Sequence, residues 1–264
     1  MTVLEKIQVL DHGYVAFVES WGSDASIIEA ARMSTDKGFL GWGKNECKFC
    51  GLSKQEFDGG YINIPKCADD GHVFVDTPGD EKLLSYLYKN RHDSPFEFAG
   101  LIIEVQAPIF VFREWHRHRT QSYNEMSARY TPLPNLNYIP SVERLMVNSK
   151  TNKQAGAIKG AAELTEEHAE LFRSKLNLMY KEQESLYQTA LASGVPKELA
   201  RVHLPVARYS RMRAQANLRN WLSFLTLRMA PNAQQEIREY ANVVGTLIQD
   251  RFPRTWDLFV EGKR

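Results

Sequence analysis

The sequence predicts an α+β fold, a central mixed sheet with helices, on two observations. Apolar runs with strand character fall early in the chain, and segments with helical period dominate its second half. At 264 residues and 43% hydrophobic, the chain is long enough to bury one large core. It is read as a single domain, 1–264, carrying an inserted Cys-containing loop at about 39–75.

The elements follow in order. Residues 3–18 alternate loosely through Val9, Val15, Phe17 and Val18 and read as one or two short strands. A helix over 24–33 starts at Ser23 or Asp24 and puts Ile27, Ile28 and Ala31 on one face. Residues 38–75 then lose all period, which marks the insertion. Thr77 and Pro78 predict the start of a helix bearing Leu83, Leu84 and Leu87, broken at His92, Asp93, Ser94 and Pro95. Residues 98–106 are apolar on both faces apart from Glu104 and Gln106, the pattern of a strand in the middle of a sheet. Pro108 stops that strand and opens a helix to about 117, after which Thr120 to Tyr130 reads as extended. The polar, basic stretch 148–160 predicts a surface loop of the kind that serves as a lid. Leu164, Phe172, Leu176, Met179, Leu186 and Ala190 keep helix period until Gly194 and Pro196. Helical segments at 196–204, 217–229 and 232–251 complete the chain.

Composition excludes several classes. With 33 Lys plus Arg against 32 Asp plus Glu, the chain has no global attraction for nucleic acid or for an anionic membrane. No run of about 18 apolar residues predicts a membrane span, and the charged first residues do not read as a signal peptide, so a cytoplasmic address is expected. Three cysteines, all between positions 47 and 67, are too few for a disulfide framework.

Local charge is more telling. Arg117, His118, Arg119, Asn124, Glu125, Ser127 and Arg129 crowd into thirteen residues between the apolar run Ile109–Phe112 and Tyr130. Charges leaving a buried framework need partners or ligands, and a ligand with several anionic oxygens fits them. A second stretch, 199–235, holds six arginines and no Asp, Glu or Lys. Arginine alone suits bidentate recognition of phosphate or carboxylate and stacking on flat rings. Arg208, Arg211 and Arg213 are expected to pair with acids elsewhere in the fold, whereas Arg201, Arg219 and Arg228 are left for a ligand. Because these charges interleave with Leu218, Trp221, Leu222 and Leu225, a pocket for small phosphorylated molecules is favoured over a duplex-binding surface.

The same residues carry a resemblance. Arg117, His118 and Arg119, seven residues and then Ser127 form the RHR-x7-S signature of the flavin-dependent thymidylate synthases, the ThyX family. The likeness extends to Ala107–Trp115, His92–Glu97, Ala30–Ser34, Ala200–Pro205 and Asn217–Arg228. It implies a ThyX-like fold and the methylation of dUMP to dTMP, with the carbon from methylenetetrahydrofolate, the hydride from reduced FAD and NADPH as flavin reductant. It further implies a homotetramer with active sites between subunits.

By that resemblance the FAD contacts are Ser34, His92, Ser94, Arg117, His118, Arg119, Glu125, Asn217, Arg219 and Ser223. The dUMP contacts are Glu114, Arg117, Glu125, Ser127, Ala128, Arg129, Arg201 and Arg228. Arg228 is the expected catalytic residue, its guanidinium stabilising negative charge on the pyrimidine. Ser127 is expected to bind rather than attack, since no activating base is legible beside it. No cysteine falls in these blocks, so no cysteine nucleophile is expected. Glu114, Ser223 and Asn232 depart from the family's Gln, Asn and His.

The resemblance does not explain the insertion. Cys47 and Cys50 form a CxxC, Cys67 follows after sixteen residues and His72 after four more, a set that could ligate zinc. Two alternatives to the synthase remain open at this point: a basic nucleic-acid-binding module with a zinc knuckle, and an oxidoreductase acting on another substrate through a flavin.

Overall fold

The structure is a computed structural model that describes residues 4–48, 50, 52, 71–77, 79–149 and 152–262. The chain forms two compact units, residues 1–20 with 101–247 and residues 21–100 with 248–264.

The first unit is built on five strands, β1 (Lys6–Val9), β2 (Gly13–Trp21), β5 (Gly100–Pro108), β6 (Ser122–Glu125) and β7 (Tyr209–Asn217). They form one sheet in the order β1-β2-β5-β7-β6. β1/β2 and β6/β7 are antiparallel ladders. The sense continues through β5. Gln106 Nε2 donates to His12 O at 2.7 Å while Tyr14 OH donates to Glu104 at 2.9 Å, so β2 and β5 run oppositely. Ile109 N donates to Arg208 O at 2.9 Å while Arg213 lies 3.5 Å from Glu104, so β5 and β7 do too. The α+β class therefore stands, and the sheet expected to be mixed is antiparallel at each of these junctions. β5 is central, as its apolar run predicts.

β7 occupies the stretch between the helical segments expected at 196–204 and 217–229, for which no element was assigned from the sequence. From Ser210 its residues alternate, with Ser210, Met212, Ala214 and Ala216 buried and Arg211, Arg213 and Gln215 exposed, while Tyr209 is buried at the strand's start. Strict period two is the strand signature, and the arginines occupy the open face. Beneath the sheet lie Trp115, Trp221, Phe224 and Tyr240, all fully buried. Trp221 Nε1 donates to Leu101 O at 3.0 Å and Tyr240 OH to Gln106 O at 2.8 Å, which satisfies the polar tips of both rings.

The helices of this unit are α3 (Ile109–Trp115), α4 (Val142–Met146), α5 (Glu166–Ala192), α6 (Lys197–Ala200), α7 (Leu218–Arg228) and most of α8 (Gln235–Arg251). α5 buries only Ala169 and Tyr187 and exposes Leu171, Phe172, Leu178, Met179 and Leu186. Arg208 is 1% exposed, 2.7 Å from Glu184, and donates to Asn135 Oδ1 and Leu133 O; Arg213 lies by Glu104. The expected acid partners of these two arginines are thus present.

The second unit holds α1 (Asp24–Arg32), α2 (Glu81–Lys89), α9 (Pro253–Glu261) and the hairpin of β3 (Lys44–Cys47) with β4 (Phe74–Thr77). Ser23 caps α1 as its sequence predicts, accepting from Ser26 N at 3.2 Å. The helix expected at Thr77 starts instead at Glu81, because Thr77 is paired with Lys44 at the end of β4; Pro78 lies outside the described residues. α9 carries no strong helix-start signal beyond Pro253 and was not expected. Within the described residues of the insertion there is a β-hairpin rather than formless loop. No helix among the described residues is long and apolar enough to cross a membrane.

Candidate active site

Pro108 ends β5 and starts α3, which buries Val111, Phe112 and Trp115 and so delivers Glu114 and the following turn to the edge of the core. The turn is fixed by its own backbone: Arg117 N donates to Glu114 O, His118 N to Trp115 O and Gln121 N to His118 O. Tyr123 OH lies 2.7 Å from His118 O and 3.2 Å from Trp115 O, and burial raises its pKa, so it stays a neutral donor. Trp115 Nε1 donates to buried Gln121 at 3.1 Å.

α7 approaches this turn from the other side. Asn217 caps it, accepting from Asn220 N at 2.9 Å, and Asn220 Nδ2 donates to Thr120 O at 3.1 Å. At the far end of α7, Arg228 donates from Nε to His118 Nε2 at 2.9 Å, from Nη1 to a Glu114 carboxylate oxygen at 2.6 Å and from Nη2 to Glu114 O at 3.0 Å. The imidazole must therefore offer a lone pair at Nε2 and carry its proton on Nδ1. Burial, and then the Arg228 charge, hold the His118 pKa down to about 4, so the ring is neutral at physiological pH. The rings of His118 and Phe224 meet edge to face, 4.9 Å between centroids. The Glu114 pKa stands above the ordinary carboxylate value: burial raises it, Arg228 pulls it back and Glu236 raises it again.

Arg117 and Arg119 are exposed on the turn that fixes His118, and Arg219 and Ser223 are exposed on α7. β6 follows the turn, its Glu125 paired with Met212 of β7. Ser127 Oγ accepts from Arg129 N at 3.3 Å and Ser127 O accepts from Tyr130 N and Thr131 N, a tight turn in which Ala128 is buried and Arg129 exposed. α6 docks on that turn: Lys197 Nζ donates to Tyr130 O at 3.0 Å and Glu198 lies 3.4 Å from Arg129. Arg201 caps the C-terminus of α6, which ties it to the same region.

In the second unit, Ser34, His92 and Ser94 line one hollow of about 560 Å³ together with Arg32, Thr35, Lys37 and Tyr86. Arg32 is engaged by the buried Asp80 carboxylate, and Tyr86 and His92 stack obliquely at 5.5 Å. Hydroxyls, two cations and aromatic faces suit part of a dinucleotide such as FAD, so these residues fit the group expected there. Cys47, Cys50 and His72 come together in the hairpin, with ligand atoms within 4.8 Å of one another; Cys67 lies outside the described residues.

Sequence reasoning missed several supports of the site. Tyr123, Asn220 and Lys197 bind backbone carbonyls contributed by other segments, and no local spacing announces such a bond.

An α+β scaffold that gathers arginines and a neutral imidazole around one turn has the chemistry to suit small, flat anionic ligands. Residues 16–254 match the family model described as Thymidylate synthase complementing protein, and the chain belongs to that family, the flavin-dependent thymidylate synthases. It is 35% identical over 257 residues to the flavin-dependent thymidylate synthase of Anaplasma marginale (strain St. Maries), covering 97% of this chain and 75% of that one. It is 32% identical to that of Thermotoga neapolitana, covering 97% and 94%. Among solved structures it resembles a UMP/dUMP methylase, PolB from Streptomyces cacaoi, bound with 5-Br UMP: TM-score 0.70, 29% identity, 97% of each chain. The nucleic-acid-binding alternative is set aside by this membership.

Proposed function

We propose that this protein methylates dUMP to dTMP, with methylenetetrahydrofolate as carbon donor, FAD as bound cofactor and NADPH as its reductant. The observation that carries the reading is the junction of the RHR turn with α7, where Arg228, His118 and Glu114 are locked together in a chain of this family. The PolB structures bound with 5-Br UMP and 5-Br dUMP support the pyrimidine nucleotide as substrate.

Arg228 spends three of its five N–H donors on Glu114 and His118, which leaves two for a ligand. Aimed at the pyrimidine, they stabilise charge as N3 ionises and C5 becomes nucleophilic. Because the guanidinium is already oriented, little ordering remains to be done when substrate arrives. Glu114 serves as the anchor on the base side, away from the phosphate it would repel. Ser127, the Ala128 backbone, Arg129 and Arg201 bind the phosphate, with Arg117 and Glu125 beside them. Arg119, Asn217, Arg219 and Ser223 join the RHR turn in holding FAD, as do Ser34, His92 and Ser94. Bound FAD supplies the hydride that completes the methyl group. Neither Cys47 nor Cys50 belongs to the RHR turn, α7 or the Ser127 turn, and the reading calls for no thiolate nucleophile.

Residues 1–264 act on this reading as one catalytic domain, in the cytoplasm and as a homotetramer. The exposed apolar residues of α5 support the assembly.

Tritium release from [5-³H]dUMP tests the activity, with [5-³H]UMP in parallel. A yellow protein that releases tritium from dUMP, dependent on methylenetetrahydrofolate and NADPH, is expected. A colourless protein that takes up no added FAD refutes the reading, and release from UMP alone moves the substrate to the ribonucleotide.

A further inference from the structure

The motif that the synthase reading leaves unused is the cysteine pair of the insertion. We propose that Cys47, Cys50 and His72 hold a structural zinc ion that clips together the base of the β3–β4 hairpin.

Three observations converge on it. Cys47 ends β3, pairs with Phe74 and is 3% exposed, so a thiol is placed inside the hairpin base rather than in solvent. The backbone after it turns back sharply: Cys47 N donates to Leu52 O at 2.7 Å and Lys48 N to Val73 O at 2.9 Å. That turn carries Cys50 to His72, where Sγ and Nδ1 are 3.5 Å apart, and the ligand atoms of all three residues lie within 4.8 Å. A tetrahedral zinc with Zn–S of about 2.3 Å and Zn–N of about 2.05 Å requires an S···N edge of about 3.5 Å. The separation is therefore that of two ligands on one ion. Stacking of the His72 ring on Phe74, at 5.9 Å and 25°, fixes its plane.

The hairpin also needs such a clip. Its two strands have four residues each, and β4 buries none of them. Val73 and Val75 are each 45% exposed. A two-stranded ribbon without an apolar face is marginal in water, and a bound metal supplies the missing folding energy. Cys50 and His72 are 22 positions apart, so the ion adds a cross-link just beyond the last pair of a short ladder. Two thiolates and an imidazole are a soft donor set that selects zinc over magnesium or calcium. The role is structural, since the three residues belong to the hairpin and none lies in the RHR turn or α7.

The test is metal analysis of the purified full-length protein, reduced and dialysed against metal-free buffer. About one zinc per chain is expected in the native protein. Cys50→Ser and His72→Ala are expected to lose it while the FAD absorbance persists, and the native protein is expected to lower its Tm with chelator where the two variants do not respond. Should the variants fail to fold, cobalt(II) loading of the native protein gives an independent reading, a thiolate-to-cobalt charge-transfer band in the metal-loaded minus metal-free spectrum. A native protein that takes up no zinc on reconstitution, a Cys50→Ser variant with full zinc, or cobalt loading without that band each overturns the proposal. Failure here leaves the dUMP reading intact, because that reading is scored by tritium release.

Discussion

Arg228 holds Glu114 by both its side chain and its backbone: Nη1 reaches the carboxylate at 2.6 Å and Nη2 the carbonyl at 3.0 Å. A planar fork fixed at three N–H groups cannot be replaced by a point charge. Arg228→Lys and Arg228→Ala are therefore both expected to lose about 10²–10³ in kcat, the loss usual for one preorganised donor. Flavin absorbance should survive in each. Single-turnover measurement at saturating dUMP checks this, and a fully active lysine variant would return Arg228 to a packing role.

Glu114→Gln keeps an acceptor for Arg228 and removes the charge. Loss of a charge-assisted bond of this kind is expected to weaken dUMP binding by about tenfold, or about 1.4 kcal/mol. Equilibrium titration of the flavin signal with dUMP measures it. Unchanged affinity would show that Glu114 has no part in the nucleotide site.

His118 ties stability to pH. Its pKa is near 6.5 in the unfolded chain and is held down to about 4 in the fold, so between those values the unfolded state binds more protons. Stability from this group is complete above about pH 6.5 and is lost as pH falls towards 4. His118→Asn is expected to flatten that part of the curve of Tm against pH. A variant whose curve keeps the native slope between about pH 6.5 and 4.5 would assign the slope to other groups.

Arg208 and Glu184 form a buried pair, 1% and 14% exposed at their side chains and 2.7 Å apart. Arg208→Met strands the carboxylate and is expected to cost about 3–5 kcal/mol in urea unfolding. Adding Glu184→Met should restore much of it, since two apolar partners leave no charge unpaired. A double variant as unstable as the single one would locate the cost in the lost bonds to Asn135 and Leu133.

Much of this is legible in the sequence where the signal is local. β5 is apolar on both faces and is central; Asn217 and Ser23 each precede an apolar helical run and each caps it. The RHR turn stands out because its charges lie on a short stretch between Phe112 and Tyr130. β7 is harder to read because its outward arginines sit in a run of arginines and its inward set begins with a polar residue, although Ser210, Met212, Ala214 and Ala216 keep period two between them. The link from Arg228 to His118 spans 110 positions and that from Arg228 to Glu114 spans 114, distances over which only the folded chain brings groups together. The hairpin of the insertion is unreadable for a different reason: Lys44–Cys47 and Phe74–Thr77 have too few apolar residues to show any period.

Asp24 shows the same long-range dependence at a helix end. α9 begins at Pro253 with no cap from its own Phe252, and Asp24 of α1 takes that place. Its carboxylate accepts from Arg254 N at 2.9 Å, Thr255 N at 3.2 Å and Thr255 Oγ1 at 2.6 Å. Burial raises the Asp24 pKa above 3.8 even against these three donors, so the site favours the acceptor but penalises its charge. Asp24→Ala leaves two backbone donors and a buried hydroxyl unpaired and is expected to cost about 2–3 kcal/mol at neutral pH. Asp24→Asn retains one oxygen and sheds the charge, so it should cost less than alanine there. The pH dependence follows from the raised pKa: the folded state binds the proton more tightly than the unfolded one, so the native protein loses stability as pH rises through the folded value. Asparagine does not titrate, and the cost of Asp24→Asn relative to the native protein should therefore shrink from acidic to neutral pH. Urea unfolding of native protein and both variants at about pH 4 and pH 7 measures this. A cost of Asp24→Asn that grows with pH would show that the donors outweigh burial, and equal losses in the two variants would mean that α9 is held by packing of Phe259 and Thr255 alone.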